Sequence, residues 1–308
     1  GTSANMNANE VIANRAIELL GGMKGDYSIV HPIDHVNMSQ STNDVFPTAG
    51  KLTVLTLLAK LIEQLTRLQK KLKHKAHEFN NIVKVGRTQL QDAVPIRLGQ
   101  SFQAYESVIG RDISRMKAIE ESMKIINLGG TAIGTAINVS PGYFSHIAAN
   151  LGAITGYDLV QAKDLIDATQ NLDGFVNASG IIKTCAVNLS KMSNDLRLLS
   201  SGPKAGISEI NLPKRQNGSS IMPGKVNPVI PEVVSQVAFN IIGNDLAITM
   251  AAEAGQLELN AFEPVLFYNL FESIETLTGA VRSFADNCVG GITANEERCK
   301  ELLSHSTA

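Results

Sequence analysis

The chain has 308 residues, of which 44% are hydrophobic and 18% are charged, a composition typical of a well-packed soluble protein and not of a disordered one. Its 27 Lys and Arg against 29 Asp and Glu give a formal net charge of -2, so we expect no nucleic-acid partner, a role that needs clustered positive charge. No run of about 18 apolar residues is present, so we expect no membrane span and no membrane partner.

The first forty residues carry two polar features. The chain opens on a polar run ahead of an apolar stretch: Thr2, Ser3, Asn5, Asn7 and Asn9. Further along, His31 and His35 stand four residues apart, which is metal-ligand spacing on a helix. Pro32 lies between them and Asp34 is the only nearby acid, so we interpret this segment as a structural turn and predict no metal site.

A second polar run, residues 39–44 (SQSTND), stands directly before the first long helix that the sequence predicts. One such residue is enough to cap a helix, so the run could serve only as a capping turn. It could equally present hydroxyl and amide donors to an oxyanion. The residues alone leave both interpretations open.

The ten prolines leave long stretches in which helices can form. These proline-free stretches are residues 48–94, 96–140, 142–202, 232–263 and 265–308. Proline inside a helix removes a hydrogen bond and clashes with the preceding turn. Apolar residues recur every three or four positions from Val54 to Leu72, from Ala186 to Leu199 and from Leu266 to Cys288. Such spacing places side chains on one seam, so the sequence predicts long helices packed as a bundle.

Two polar segments lie along the first of these helices and after it. The basic run Lys70 to His77 is interpreted as a solvated helix face, because the chain as a whole is nearly neutral. The second segment stands between two predicted helices and is a weak signal taken alone. It contains Arg87, Thr88, Gln89, Gln91 and Asp92.

Residues 203–231 hold five of the ten prolines and cannot form a helix. A long irregular connection inside a helical protein is usually functional or disordered. Its central run, GSSIMPGKVNP (Gly218 to Pro228), differs from a phosphate-binding loop in glycine spacing and in having Val226 where Ser or Thr is needed. The two serines, Lys225 and Asn227 instead suit a small anion such as a carboxylate, and a solvated surface loop is the alternative that the residues leave open.

The three cysteines are Cys185, Cys288 and Cys299, an odd number at wide spacing. This usage favours buried thiols in a reducing compartment over a disulfide framework, and it makes an ordinary Cys/His zinc site unexpected. We therefore expect a cytoplasmic protein.

Taken together, these segments resemble the aspartase/fumarase superfamily. The run GSSIMPGKVNP is similar to the superfamily's signature loop, and three other runs resemble its other segments. These are GTSANMNANEVIANRA, HPIDHVNMSQSTNDVFPTA and GRTQLQDAVPIRLGQ. Within the superfamily the chain looks most like the aspartases, because Gln89 stands where fumarases typically carry a histidine.

The resemblance implies an all-α fold, a bundle of long helices that forms the core of a homotetramer. Each active site would form where segments from three subunits meet. We expect residues 1–40 to be the tail of an N-terminal domain, residues 41–290 the central bundle, and residues 291–308 the start of a C-terminal domain. By the same comparison the chain lacks most of the first domain and most of the last.

The implied reaction is reversible elimination of ammonia from L-aspartate to give fumarate through an enediolate. Its difficult step leaves a second negative charge on a carboxylate, which converging neutral donors can stabilise. The resemblance assigns that role to Thr2, Ser41, Thr42 and Thr88. It assigns the general base to Ser219, whose alkoxide the loop N–H groups and Lys225 would stabilise.

Further roles follow from the same resemblance. Lys225 and Asn227, with Ser220 beside the base, would hold the other carboxylate, and Asn43 and Gln89 are candidates to receive the ammonium group. No cofactor or metal is expected to be required, and activation by a divalent cation stays open. Two departures from the family pattern are Ile33, which leaves a secondary anion site at residues 31–34 in doubt, and Ala136 where glycine is common.

Two alternatives stay open beside the aspartase interpretation. A fumarate hydratase would use the same pocket for water instead of ammonia. A truncated, non-catalytic member of the superfamily would share the fold without activity, although Ser219, Lys225 and Asn227 are all retained.

Overall fold

The computed structural model describes residues 1–217, 221–222 and 224–306, and over these residues the chain is mainly helical. In chain order the elements are α1 (Thr2–Leu19), α2 (Thr42–Glu78), β1 (Val83–Thr88), β2 (Gln91–Arg97), α3 (Leu98–Met123), β3 (Ile125–Ile126), α4 (Pro141–Thr155), β4 (Val160–Gln161), α5 (Leu165–Gln170), α6 (Asp173–Leu199), β5 (Ile210–Asn211), α7 (Val229–Glu253), α8 (Glu263–Asn287), β6 (Thr293–Ala294) and α9 (Glu296–Ser304). The expected all-α class is confirmed.

The strands form small two-stranded sheets. β1 and β2 make an antiparallel hairpin, β3 and β4 pair in parallel, and β5 and β6 pair antiparallel. The hairpin falls where the sequence predicted only a connection between two helices. Its strands are short, and β2 is mostly exposed, so the alternation of buried and exposed residues that reveals a strand is absent.

The chain divides into two compact units. Unit 1 comprises Gly1–Thr56, Ala118–Ala178 and Leu246–Phe271, and unit 2 comprises Leu57–Lys117, Ser179–Asp245 and Glu272–Ala308. The predicted domain boundaries after residues 40 and 290 stay predictions.

Unit 2 is a helical bundle in which the predicted seams are buried. Leu58, Leu65 and Leu72 on α2 are fully buried, as are Ile274 and Phe284 on α8. Burying one such side chain stabilises the fold by about 1.5–3 kcal/mol. The apolar repeats therefore mark the core, as predicted.

Polar contacts fix how the helices of unit 2 meet. Asp286 on α8 lies 2.8 Å from the Arg67 guanidinium and 2.6 Å from Lys71 Nζ, both on α2. The Asn188 amide on α6 donates to Asp112 on α3 at 2.9 and 3.0 Å. The contacts of Asp286 join α2 to α8 at a half-exposed position. Asp112 is buried, so its bonds with Asn188 satisfy a polar group that must find a partner within the fold.

Unit 1 has a small aromatic core beside the start of α2. The ring centroids of Phe46 and Phe175 lie 5.3 and 5.0 Å from that of Phe267. Gly50 faces the same ring, and a β-carbon there would come within 2.3 Å of Phe267. Only glycine permits this close approach of helix and ring.

The segment around the two histidines is a structural turn, as predicted. Pro32–Val36 form a single π-helical turn. The Nδ1 atom of His31 accepts bonds from the backbone N–H groups of Ile33 and Asp34, at 3.3 and 3.1 Å, and Nδ1 of His35 accepts one from His31 N–H at 2.8 Å. Both rings therefore serve the turn itself.

The proline-rich segment is irregular over most of its described length, but its last residues, 229–231, form the start of a helix, which the sequence analysis had excluded. α7 begins at Val229 with Pro231 as its third residue, and α8 begins at Glu263 with Pro264 second. Proline is tolerated in a first turn because the N–H groups there have no partner within the helix.

Two helices, α2 and α7, are long and apolar enough to cross a membrane by length and composition alone. In α2 the leucine seam packs in the core, which accounts for its apolar character. The most apolar windows of the two helices are only 39% and 33% buried. Packing in the core therefore does not account for the exposed apolar surface of α7.

Candidate functional site

The start of α2 gathers four of the residues predicted for the site within unit 1. Ser41, Thr42 and Asn43 follow one another there, and Thr42 Oγ1 accepts a bond of 3.0 Å from the Asn5 amide. Thr2 opens α1, and a β-carbon on its neighbour Gly1 would lie 3.2 Å from Thr42 Cγ2. The structure thus brings Thr2 and the second polar run to one neighbourhood.

The side-chain amide of Asn43 has a fixed orientation. Its Nδ2 donates to the carbonyl of Ala132 at 2.7 Å. A carbonyl can only accept, so the contact identifies which end of the amide is nitrogen. The side-chain amide of Asn127 in turn donates to the backbone carbonyl of Asn43 at 3.0 Å and to Thr169 Oγ1 at 3.1 Å. The Oδ1 atom of Asn43 is left as an acceptor.

A cleft of about 510 Å³ lies between the second polar run and the glycine-containing loop of residues 129–138, which we call the GGTAIGTA loop after its first eight residues. One wall is polar and consists of Ser39, Gln40 and Ser41. The loop wall alternates polar with apolar side chains: Thr131, Ala132, Ile133, Thr135, Ile137 and Asn138. From the sequence, this loop had no predicted role beyond the substitution at Ala136.

The cap of α2 is closed by a buried carboxylate. Asp44 is fully buried, and its Oδ1 accepts from Ser41 N–H at 2.9 Å, while Ser41 Oγ accepts from Asn43 N–H at 3.2 Å. Its Oδ2 accepts from the N–H groups of Gly129 and Thr131, both at 3.0 Å. Burial raises the pKa of the carboxyl, and these N–H groups oppose that rise.

The tip of the β1–β2 hairpin carries Thr88 and Gln89, both in unit 2. Gln89 and Leu90 have positive φ angles of 53° and 62°, the geometry of a tight two-residue hairpin turn. Thr88 pairs with Gln91, so the side chain of Gln89 stands exposed at the very end.

A buried ion cluster anchors that hairpin. Glu209, fully buried just before β5, lies 2.9 Å from the Arg87 guanidinium and 3.0 Å from Lys84 Nζ, and both cations belong to β1. A cavity of about 240 Å³ lined by Lys84, Arg87, Tyr105 and Asp195 lies beside it and contains none of the predicted site residues. Glu209 was not predicted from the sequence, because its partners lie more than a hundred residues away.

The signature loop is described in part. Ser219 and Ser220, predicted as base and binding residue, lie outside the described residues. Lys225 and Asn227 are exposed, and the Asn227 amide stands 3.5 Å from Gln216 Oε1. Among the residues that the structure describes, no hydrogen bond joins these two to Thr88 or Gln89.

The predicted residues therefore fall into three groups: the start of α2 with Thr2, the hairpin tip, and the signature loop. Asp44 is a further residue of interest, and its signal was the spacing Ser41-x-x-Asp44, which is that of a capping box. In the described part of the chain, no three His, Cys, Asp or Glu side chains cluster so as to hold a metal ion.

Comparisons with known proteins give consistent relatives. Residues 1–243 match a protein-family model described as lyase. An aspartate ammonia-lyase of a Bacillus species is 57% identical over 306 residues, which cover 99% of this chain and 65% of that protein. One from Pseudomonas fluorescens is 55% identical over 307 residues and is covered to 64%. This chain thus spans about two thirds of the length of these relatives.

Solved structures agree on the fold. A fumarate lyase:delta crystallin from Brucella melitensis, solved bound to cobalt, superposes with a TM-score of 0.98 at 53% identity, covering 99% of this chain and 66% of that one. A recombinant class II fumarase from Schistosoma mansoni superposes with a TM-score of 0.94 at 40% identity, covering 99% and 67%.

Proposed function

This chain belongs to the lyase family, and on that premise we propose that it forms the greater part of an aspartate ammonia-lyase, a carbon–nitrogen lyase that interconverts L-aspartate with fumarate and ammonia. The observation that carries the proposal is the identity of 52–57% with relatives of that name over 99% of the chain. The fixed amide of Asn43 supports it, because its Oδ1 is an acceptor suited to a substrate's ammonium group.

In the proposed reaction, Ser219 removes the proton from the carbon next to one carboxylate. That carboxylate becomes an enediolate, and hydroxyl groups that converge on it stabilise its growing charge. Thr2, Ser41, Thr42 and Thr88 supply these donors. The enediolate then collapses to form the double bond of fumarate as the carbon–nitrogen bond breaks, and ammonia leaves from its binding site.

The remaining predicted residues bind the substrate. Lys225, with Asn227 and Ser220, holds the second carboxylate, for which a cation and amide donors are the expected partners. Asn43 and Gln89 receive the ammonium group. The proposed chemistry uses only side chains of the protein and requires no cofactor.

We further propose a homotetramer with shared active sites in the cytoplasm. The support is an exposed apolar stripe on α7, where Phe239, Leu246 and Met250 are 64, 63 and 62% exposed. An exposed stripe of this kind marks a surface that another molecule covers. A second copy of the same chain is the partner we propose, and neither a membrane nor a nucleic acid.

The test uses the full-length protein and fumarate, with and without ammonium. We expect fumarate to be consumed only when ammonium is present, with L-aspartate as the product identified by chromatography. Formation of malate without ammonium would instead establish the hydratase alternative that the class II fumarase relative suggests. No turnover under either condition would leave a non-catalytic member of the family and overturn the proposal.

A further inference from the structure

A single carboxylate joins the two walls of the 510 Å³ cleft. Asp44 Oδ1 holds the N–H of Ser41 on one wall, and Oδ2 holds the N–H groups of Gly129 and Thr131 on the other. The two walls are more than eighty residues apart in sequence. Each bond is between 2.9 and 3.0 Å long, the usual length of an N–H···O hydrogen bond.

Hydrogen-bond donors enclose Asp44 and oppose the rise in pKa that its burial causes. The side chain is fully buried, and in the described part of the chain no Lys, Arg or His pairs with it. Its charge is balanced by three backbone N–H groups and by the start of α2, where the helix dipole favours an anion. Gly129 and Thr131 both have positive φ, 95° and 59°, which turns their N–H groups toward one point.

The wall that Asp44 holds also orients Asn43. Ala132 follows Thr131 directly, and its carbonyl accepts the bond of 2.7 Å that fixes the Asn43 amide. If the turn at Gly129 and Thr131 loosened, that carbonyl would move and the amide could rotate. The Oδ1 acceptor of Asn43 would then lose its direction.

We propose that Asp44 is a positioning residue for amine recognition, acting through the turn at Gly129 and Thr131 and the Ala132 carbonyl on the amide of Asn43. This inference rests on the proposed function. It states how the enzyme distinguishes L-aspartate from a dicarboxylate of the same length that lacks the amine, such as succinate. The contact of Asp44 Oδ1 positions Ser41, which binds the substrate carboxylate. The contacts of Oδ2 position the turn that orients Asn43, which binds the substrate amine.

The experiment compares three variants of the full-length enzyme. Asp44→Ala removes both contacts. Asp44→Asn keeps one acceptor oxygen. We expect this oxygen to face the two N–H groups of Gly129 and Thr131, so that the contact with the N–H group of Ser41 is the one lost. Gly129→Ala strains the turn alone, since φ is +95° and the new β-carbon would lie 2.8 Å from Gln161 Nε2. Gly142→Ala, with open space around it, is the matched control.

The quantity measured is the ratio of the KM for L-aspartate to the inhibition constant for succinate. We expect Asp44→Ala and Gly129→Ala to raise this ratio by about tenfold, because a change at the carboxylate contacts affects both ligands, whereas only L-aspartate has an amine that loses its partner. Asp44→Asn should leave the ratio within about twofold of the parent while weakening both ligands. Gly142→Ala should change neither constant.

A purely structural role for Asp44 would weaken both ligands in proportion, and an unchanged ratio in Gly129→Ala would overturn the inference. The inference also fails if Asp44→Asn shifts the ratio as far as Asp44→Ala. Should Asp44→Ala not fold, Gly129→Ala and Asp44→Asn still decide the question. Absence of ammonium-dependent turnover in the parent enzyme would count against the proposed function and not against this positioning role.

Discussion

The proposed reaction depends on the hydroxyl group of Ser219 as its base. Ser219 has no neighbouring His or Asp in sequence to accept its proton, so the proposed role as base requires hydrogen-bond donors that stabilise its alkoxide. We expect Ser219→Ala to lower kcat by a factor on the order of 10³ or more while L-aspartate still binds, as measured by steady-state kinetics and calorimetry. Ser28→Ala, at an exposed serine, is the control. Near-normal turnover would remove Ser219 from the role of base.

A second prediction at this scale concerns Glu263 at the start of α8. The side chain is only 6% exposed, and burial raises its pKa from about 4.5 to about 7, against the opposing charge of Lys51. Between these pH values the folded state keeps a proton that the unfolded state has released. Stability therefore falls as the pH rises from about 4.5 to about 7, by a free energy on the order of 3 kcal/mol.

Glu263→Gln removes the titrating group, so we expect its free energy of unfolding to vary less with pH over that range. Urea denaturation at a series of pH values measures this, with Glu258→Gln at an exposed position as the control. Parallel pH profiles for the parent and Glu263→Gln would show that the carboxyl titrates at its ordinary pKa.

At the scale of elements, helices were predictable and the hairpin was not. The leucine repeat of α2 and the apolar repeat of α8 predict helices because spacing near 3.5 residues places the side chains on one helix face. In the structure that face is buried. The β1–β2 pairing depends on Glu209, which supplies its counter-charge from a segment more than a hundred residues away. A single sequence contains no local sign of such a contact.

That counter-charge gives the third prediction. Glu209→Gln leaves the buried Lys84 and the partly exposed Arg87 without an anion, so we expect the free energy of unfolding to fall by about 3–5 kcal/mol. Chemical denaturation followed by circular dichroism measures the change, and Glu297→Gln on the exposed face of α9 is the control. A loss of less than about 1 kcal/mol would mean that water or another group already compensates these charges.

For the molecule as a whole, the sequence predicted a set of candidate site residues but not where they lie in the fold. Thr2, Ser41, Thr42 and Asn43 form one group because helix starts gather polar residues for capping as well as for binding. Thr88 and Gln89 stand on a hairpin tip, and Lys225 and Asn227 on an exposed loop. The proposed site combines several copies of the chain, and such a site leaves no signature in the spacing of one copy, so only the family resemblance could predict it.

The proposed assembly gives the fourth prediction. Phe239 lies within the exposed apolar stripe of α7, so Phe239→Glu should place a charge in each subunit interface and convert tetramers to smaller species. Size-exclusion chromatography with light scattering measures the mass. Ile154→Glu, at an 82% exposed position on α4, should leave the mass unchanged. A tetramer that survives Phe239→Glu would exclude this stripe from the interface.

The burial of all three thiols has a practical consequence. Cys185, Cys288 and Cys299 are at most 1% exposed, and burial raises the pKa of each, so they resist alkylating reagents while the protein is folded. A cysteine introduced at Ile221, which is 83% exposed, would then be the fastest to react with a maleimide dye. The three natural cysteines should therefore contribute little labelling, and the rate at which the introduced cysteine reacts with and without ligand measures how far the ligand shields the signature loop.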